Sequence, residues 1–482
     1  MKTPQYITTT LPYVNSKPHV GFAMEIIRAD ALARYYTLSG HEVFFNTGTD
    51  EHGVKIYENA QAANLDPQSY VDPYAEDFKG LIELLHLKED IHFIRTTDEH
   101  HIKAAQSFWQ RCNDNGYIYK KSYQAKYCVG CELYKTDSEL VDGKCPIHPN
   151  REIEIIDEEN YFFKFSKCEN FLKELYKERP DFVVPDFRFN EIKSFVDGGL
   201  QDFSISRLKT KMPWGIPVPG DDEHVMYVWF DALVNYISTL GWDGDLDTFE
   251  KFWIEGKPIQ YAGKDNLRQQ SAMWQSMLHA AGLPNSHQII INGFINSGGQ
   301  KMSKSLGNVI DPYDIVEKYG AEALRYYLLR HMNSFEDSDM TMEKFHEAYN
   351  ANLANGLGNL VQRLMKMITS YEVDISDINF DHEPVLSFHS STIEKERDFN
   401  KMMDEIWRLI GDMDQFIAEH KPFKKIKEDP ETAHRDLKHL ATELSRLAIS
   451  LYPVMPETAA TIQNCLTEVK IPEQPLFVRM DS

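Results

Sequence analysis

The sequence predicts an α/β protein in which a parallel-sheet catalytic domain is split by a metal-binding insertion and followed by an all-α helical bundle. Three observations predict it. A strand, a helix and a strand succeed one another within the first fifty residues; Cys128, Cys131 and Cys145 cluster with His148; and after Pro312 the apolar residues recur almost entirely with helical period.

Residues 6–10 read as a short buried strand, a turn runs from Pro12 to Pro18, and Ile26, Ala29, Leu32 and Tyr35 then mark one face of a helix. Residues 43–46 make a second strand. Strand, helix and strand at this spacing form a parallel βαβ unit, whose crevice at the carboxyl ends of the strands is where nucleotides bind. From about residue 116 to about residue 224 the texture turns acidic and aromatic-rich, as an insertion would. Segments 227–235, 259–261 and 288–291 are predicted strands or strand ends, with a helix over 271–281, and they complete the sheet. Leu353, Leu357, Leu360, Leu364 and Ile368 form one apolar stripe of the C-terminal bundle.

Composition narrows the class. A chain of 482 residues is too long for one core, and 42% hydrophobic with 26% charged residues is an ordinary soluble balance. Residues 1–15 lack the basic-then-apolar layout of a secretory signal, and runs such as Ile289-Ile290-Ile291 fall far below the roughly 20 residues that cross a bilayer, so a cytoplasmic protein without membrane contact is expected. Cys112, Cys168 and Cys465 are scattered, which suits a reducing compartment rather than a disulfide frame. The formal charge of −23 repels phosphate at long range, so any RNA must meet local basic patches such as residues 207–211 and 421–427. Alone, those patches read equally well as solvated faces.

The chemistry sits in three motifs. Lys301-Met302-Ser303-Lys304-Ser305 follows the turn Ser297-Gly298-Gly299 and puts two ammonium groups on a loop that can close on a triphosphate, where charge builds on departing pyrophosphate. A chance match of these five residues is on the order of one in several thousand. Pro18-His19-Val20-Gly21 lies between the first strand and its helix, where backbone N–H groups and an imidazole meet phosphate, and where Gly21 lets a base approach the backbone. His-x-Gly is weak by itself and gains weight from opening the crevice that the lysine loop could cover. Cys128-x-x-Cys131 and Cys145-x-x-His148 supply four ligands in two close pairs, the spacing of a closed and therefore structural Zn2+ knuckle.

The first two motifs resemble the nucleotide signatures His-Ile-Gly-His and Lys-Met-Ser-Lys-Ser of the class I aminoacyl-tRNA synthetases, at the two ends of a Rossmann-type domain, and the resemblance runs from Tyr6 to about Ile462. It implies ATP binding by His19, Gly21, Gly263, Asp265, Lys301 and Lys304, catalysis by His19, Lys301 and Lys304, and Mg2+ accompanying the ATP. Phe22 departs from the pattern, removing the second imidazole of the first signature. The single knuckle is similar to the connective insertion of one group of methionine-specific members and is short beside the editing domains of the isoleucine, valine and leucine enzymes. Leu11, Tyr13, Asp50, Trp229, Ala232, Leu233, Tyr236, Gln270 and Trp274 lie in segments that resemble the methionine pocket of that group. Aromatic walls suit a polarisable thioether, although any one of these aromatics reads as well as plain core. The resemblance assigns Asp50 to the substrate α-ammonium group, and Gln270 stands where the family usually has histidine. Asn359 and Arg363, four apart on one helix face, with Phe423 where the family has tryptophan, are implied to read the anticodon; a stacked base contributes about 1–3 kcal/mol.

The implied domains are 1–115 and 226–305 for the halves of the Rossmann domain, 116–225 for the connective insertion, 306–350 for a stem-contact linker and 351–482 for the anticodon-binding helices. The implied activity is ligation of L-methionine to methionine tRNA with ATP, by a monomer. A non-charging paralogue that binds RNA or adenylate is the alternative, with Phe22 and Gln270 as its support. A leucine- or cysteine-specific relative is disfavoured by the short insertion and the aromatic segments.

Overall fold

Short apolar runs become the strands of one parallel sheet. The computed structural model describes residues 2–131, 133–135, 140–302, 307–381 and 383–481, with the side chains of 123–125, 133, 134, 156–158, 383, 384 and 388 outside the description. Gln5–Thr8 (β1) pairs with Val43–Thr49 (β2), which pairs with His92–Arg95 (β3); on the other side of β1 come Lys257–Gly263, Gln288–Asn292 and Val183–Val184. Every pairing is parallel, with Gln5 opposite Val43 and Ile7 opposite Ile259. The chain leaves β1 in one direction and returns on its other flank, so a crevice opens at the carboxyl ends of β1 and Lys257–Gly263.

Helix α1, Val20–Leu38, crosses behind that crevice. Fourteen of its nineteen residues are buried, so it is a core helix apolar nearly all round, and the stripe Ile26, Ala29, Leu32 and Tyr35 is part of a wider contact. Its buried polar groups tie the sheet to the helical region. Arg28 donates to Asn292 Oδ1 and to the carbonyls of Met332, Asn333 and Ser334, all at 2.9–3.0 Å. Asp30 accepts from Arg325 at 2.6 Å, both side chains being fully buried. Asp30 also holds Arg34 at 2.8 Å, so it is removal of Asp30 that would leave the buried Arg325 without its counter-charge, at about 3–5 kcal/mol. From the bundle side, Arg397 reaches Gln288 at 2.8 Å and Tyr36 at 2.9 Å.

The insertion is a long antiparallel hairpin. Ile118–Cys128 pairs with Glu154–Phe163, from Ile118 opposite Phe163 to Tyr127 opposite Glu154, and the cysteine cluster occupies its far end. Further on, Pro312–Tyr319, Ala321–Arg330, Asn359–Ser370, Phe399–His420, Pro430–Leu451 and Pro456–Thr467 are helical, and the stripe Leu353, Leu357, Leu360, Leu364 and Ile368 is entirely buried.

Two expectations change. Residues 227–235 are not a strand: the strand is Asp221–Met226, and Val228–Ala232 turns into helix, with Asp231 N–H bonded to Tyr227 O. The run is buried almost throughout, its polar Asp231 and Asn235 included, so no exposed face fixes a period and the pattern serves helix or strand alike. Val183–Val184, within the stretch read as insertion, supplies the sixth strand of the central sheet instead. A two-residue strand leaves no alternation to read.

Candidate active site

The crevice is a cleft of about 750 Å3 that brings together His19, Gly21, Asp50, Gly263, Asp265 and Lys301. His19 is the N-cap of α1 with extended backbone, and its Nδ1 accepts from the Gly21 N–H at 3.0 Å. That bond assigns the proton of the neutral ring to Nε2, which becomes a donor to whatever occupies the cleft. Burial, and then the Lys301 charge, hold His19 below its ordinary pKa and so favour this neutral form. Gly21 is required by space: a Cβ there would lie 2.8 Å from Cε1 and 2.9 Å from Nδ1 of His19. The ring of His19 itself, rather than an approaching base, takes the room that the missing side chain leaves. Phe22 packs edge-on against Phe78 at 5.3 Å and contributes an apolar wall to the cleft.

Lys301 arrives on a hairpin. Ile295–Ser297 pairs with Gln300–Lys301 across Gly298 and Gly299, whose φ values of 62° and 75° are the left-handed geometry that a two-residue turn needs. Lys301 Nζ lies 5.0 Å from the centre of the Phe294 ring, and Met302 Cε reaches 3.9 Å from the Cβ position on Gly21. The two motifs, far apart in sequence, therefore face one cleft. Ser303, Lys304 and Ser305 lie outside the described residues. Asp265 folds back over the strand end at Gly263, where a Cβ would be 2.8 Å from its Oδ1, and burial raises its pKa against the pull of Lys301 and Lys264.

Leu11, Tyr13, Asp50, Trp229, Ala232, Leu233, Tyr236 and Gln270 line the opposite side. Asp50 is set beside Tyr13 by backbone bonds from Asp50 N to Pro12 O at 3.0 Å and from Val14 N to Asp50 O at 3.2 Å. Gln270 sits on a π-helical turn, Gln269–Met273, donates to Tyr236 Oη at 2.7 Å and accepts from Gln260 at 3.4 Å. These polar atoms are engaged with one another, which leaves an uncharged end suited to a thioether. Trp274 is the exception among the sequence-derived pocket residues. It is fully buried behind Tyr236, ring centres 5.9 Å apart, and stacks on Phe108. Its role is to back the wall.

Cys128, Cys131, Cys145 and His148 present ligand atoms all within 4.8 Å of one another. Nδ1 of His148 is 3.2 Å from Cys131 Sγ, 3.9 Å from Cys128 Sγ and 4.0 Å from Cys145 Sγ. A tetrahedral ion with bonds of about 2.0–2.3 Å needs edges of roughly 3.5–3.8 Å, so the four donors fit one N/S-preferring metal with no position left over. Gly130 makes this possible, because a Cβ there would meet His148 Cγ at 2.5 Å. Gly130, Cys131, Ile147 and His148 also line the cleft, a proximity that spacing alone did not indicate.

Sequence reading missed Glu25, Thr10 and Asn292, all of which line the cleft. An acid four residues after Gly21 on an otherwise apolar helix was the available signal for Glu25. On the helical region, Asn359, Arg363 and Phe423 are exposed, as an RNA contact requires. Arg363 is paired with Asp414 of the neighbouring helix Phe399–His420, which ends three residues before Phe423 on its short helix Pro422–Lys425.

The model of the family of tRNA synthetases class I (M) matches residues 5–155 and 149–365. A methionine–tRNA ligase of Thermotoga maritima is 39% identical over 95% of this chain and 74% of its own length. One from Thermosynechococcus vestitus is 41% identical over 95% of this chain and 89% of its own length. Among solved structures, Mycobacterium tuberculosis methionyl-tRNA synthetase in complex with methionyl-adenylate superposes with a TM-score of 0.88 at 32% identity, covering 99% of this chain and 98% of that one.

Proposed function

The chain belongs to the class I tRNA synthetases, and from that membership we propose that it ligates L-methionine to methionine tRNA with ATP, through a methionyl-adenylate. The observation that carries this reading is the shared cleft: His19 at the N-cap of α1 and Lys301 on the hairpin both line a space large enough for ATP and an amino acid. A non-charging paralogue would have no use for that juxtaposition.

In this reading the methionine carboxylate attacks the α-phosphorus of ATP in line, and the tRNA terminal ribose hydroxyl then attacks the adenylate carbonyl. His19 Nε2–H, the Gly21 turn, Lys301 and Lys304 hold the phosphates and meet the charge that develops on pyrophosphate. Asp265 and Gly263 take the ribose, Asp50 the α-ammonium group, and the walls from Leu11, Tyr13, Trp229, Ala232, Leu233, Tyr236 and Gln270 the thioether side chain. Asn359, Arg363 and Phe423 read the anticodon, Arg363 exchanging Asp414 for RNA. Zinc is the ion that three thiolates and an imidazole prefer, and it would hold the tip of the insertion over the cleft. Magnesium would neutralise the ATP phosphates. A monomer acting in the cytoplasm completes the reading; among the described residues no helix is long and apolar enough to cross a membrane.

Exchange of labelled pyrophosphate into ATP tests it. Exchange is expected with methionine and not with leucine or cysteine, and Lys304→Ala should lower it by about 10²-fold or more. Exchange indifferent to the amino acid would remove the proposed function.

A further inference from the structure

We propose that Glu25 accepts the proton of the tRNA ribose hydroxyl in the transfer step, an inference that rests on the synthetase reading above. Glu25 lies one turn beyond Gly21 on α1 and is 6% exposed, and that remaining surface faces the cleft. Its Oε1 accepts both the Thr10 N–H at 2.8 Å and the Thr10 hydroxyl at 2.6 Å. Both donors come from one residue, two past the end of β1, so they clamp the carboxyl group and consume a single oxygen. No donor among the described residues is placed on Oε2, which is left to the cleft.

A nearly buried acid needs a reason. Holding the Thr10 N–H could be done by a neutral amide, without the cost of burying an ionisable group. The nearest cation on the same helix, Arg28, spends its guanidinium on Asn292 and three backbone carbonyls. From the other elements around Glu25 come Asp265 and Tyr236, while His19 and Lys301 stand on the phosphate side of the same cleft. Burial first, against the two Thr10 bonds and with some help from Asp265, pushes the Glu25 carboxyl up to about 7. That is the range in which a carboxylate both exists at neutral pH and holds a proton once it has taken one.

Position selects the proton. Asp265 and Tyr236 line the cleft with Glu25; with the ribose at Asp265 and the methionine side chain at Tyr236, as the proposed function has them, the carbonyl joining methionine to phosphate falls between the two. In the transfer step the ribose O–H bond breaks as its oxygen bonds to that carbonyl carbon. The bond from carbon to the phosphate oxygen then breaks, its electron pair leaving on AMP, and the hydroxyl proton rests on Oε2 until products depart. The step consumes no further reactant.

The test uses the full-length enzyme with preformed methionyl-adenylate and measures single-turnover transfer to tRNA from about pH 5.5 to about pH 8.5. Because the deprotonated form is the acceptor, the wild-type rate should rise through a midpoint near 7, the value of the carboxyl itself. Glu25→Gln keeps an acceptor for Thr10 and should lose about 10²-fold in transfer along with the pH dependence, while methionine-dependent pyrophosphate exchange falls by less than about tenfold. A wild-type transfer rate flat across this range overturns the proposal without recourse to any variant. Equal losses in transfer and exchange in Glu25→Gln overturn it too, because Glu25 would then only position. Wild-type protein with no methionine-dependent exchange removes the synthetase reading itself, a different failure.

Discussion

Replacing Gly21 by alanine separates what the first motif does for catalysis from what it does for folding. The added Cβ would stand 2.8 Å from Cε1 and 2.9 Å from Nδ1 of His19, where ordinary contacts begin at 3.4 Å, so the ring must move by half an ångström or more. Moving it breaks the 3.0 Å bond from the Gly21 N–H and turns Nε2–H away from the place proposed for the phosphates. Two terms oppose each other in stability. Alanine inside a helix is favoured over glycine by about 0.5–1 kcal/mol, and a lost N-cap bond costs about 0.5–2 kcal/mol. The melting temperature should therefore shift by only a few degrees. Activity has no such offset: loss of one oriented donor to a transition-state charge costs about 2.7–4 kcal/mol, or 10²–10³ in rate. Pyrophosphate exchange measured beside a thermal melt reads both quantities. Exchange within about threefold of wild type would refute the role given to His19.

Three further outcomes are expected. Gly130→Ala should displace the His148 ring, 2.5 Å from the new Cβ, and purified protein should then carry well under one zinc per chain by elemental analysis, against one in wild type. Phe423→Ala should weaken tRNA charging by about 5- to 150-fold, from about 1–3 kcal/mol of lost stacking, with exchange in the absence of tRNA as the reference; equal effects on both would place Phe423 elsewhere. His287 is lowered from 6.5 to about 4, by burial first and then by Arg179, Lys257 and Arg397. Its folded pKa lies below its unfolded one, so its contribution is intact above 6.5 and is lost as pH falls from 6.5 to 4. Denaturation of His287→Gln should accordingly lose less stability than wild type over that interval, and identical losses would contradict the assignment.

Much of the site was legible because its signals are short. The two pairs of metal ligands, the Lys301 to Ser305 motif and the His19 to Gly21 turn each depend on local spacing, and Leu353 to Ile368 follows one helical period. Residues 227–235 carry no legible period because even the polar Asp231 and Asn235 are buried, which leaves no exposed face to set one. Trp274 was placed in the pocket because an aromatic in the right segment is indistinguishable, in one dimension, from the aromatic behind it. Glu25 went unnoticed for a related reason: its setting depends on Thr10, Asp265 and Tyr236, which reach it from three other elements.

By itself the sequence determined the parallel α/β class, the helical C-terminal region, the donor set for one metal and the two motifs proposed to hold the nucleotide. Only the tertiary structure decided that those motifs face one cleft, that the cysteine-bearing tip reaches it, that Val183–Val184 forms the edge strand of the sheet, and that Glu25 is buried with one oxygen engaged. Local propensity and ligand spacing are properties of neighbouring residues, whereas desolvation, close approach and shared cavities arise when segments hundreds of residues apart pack together, and their energies exist only once that packing has formed.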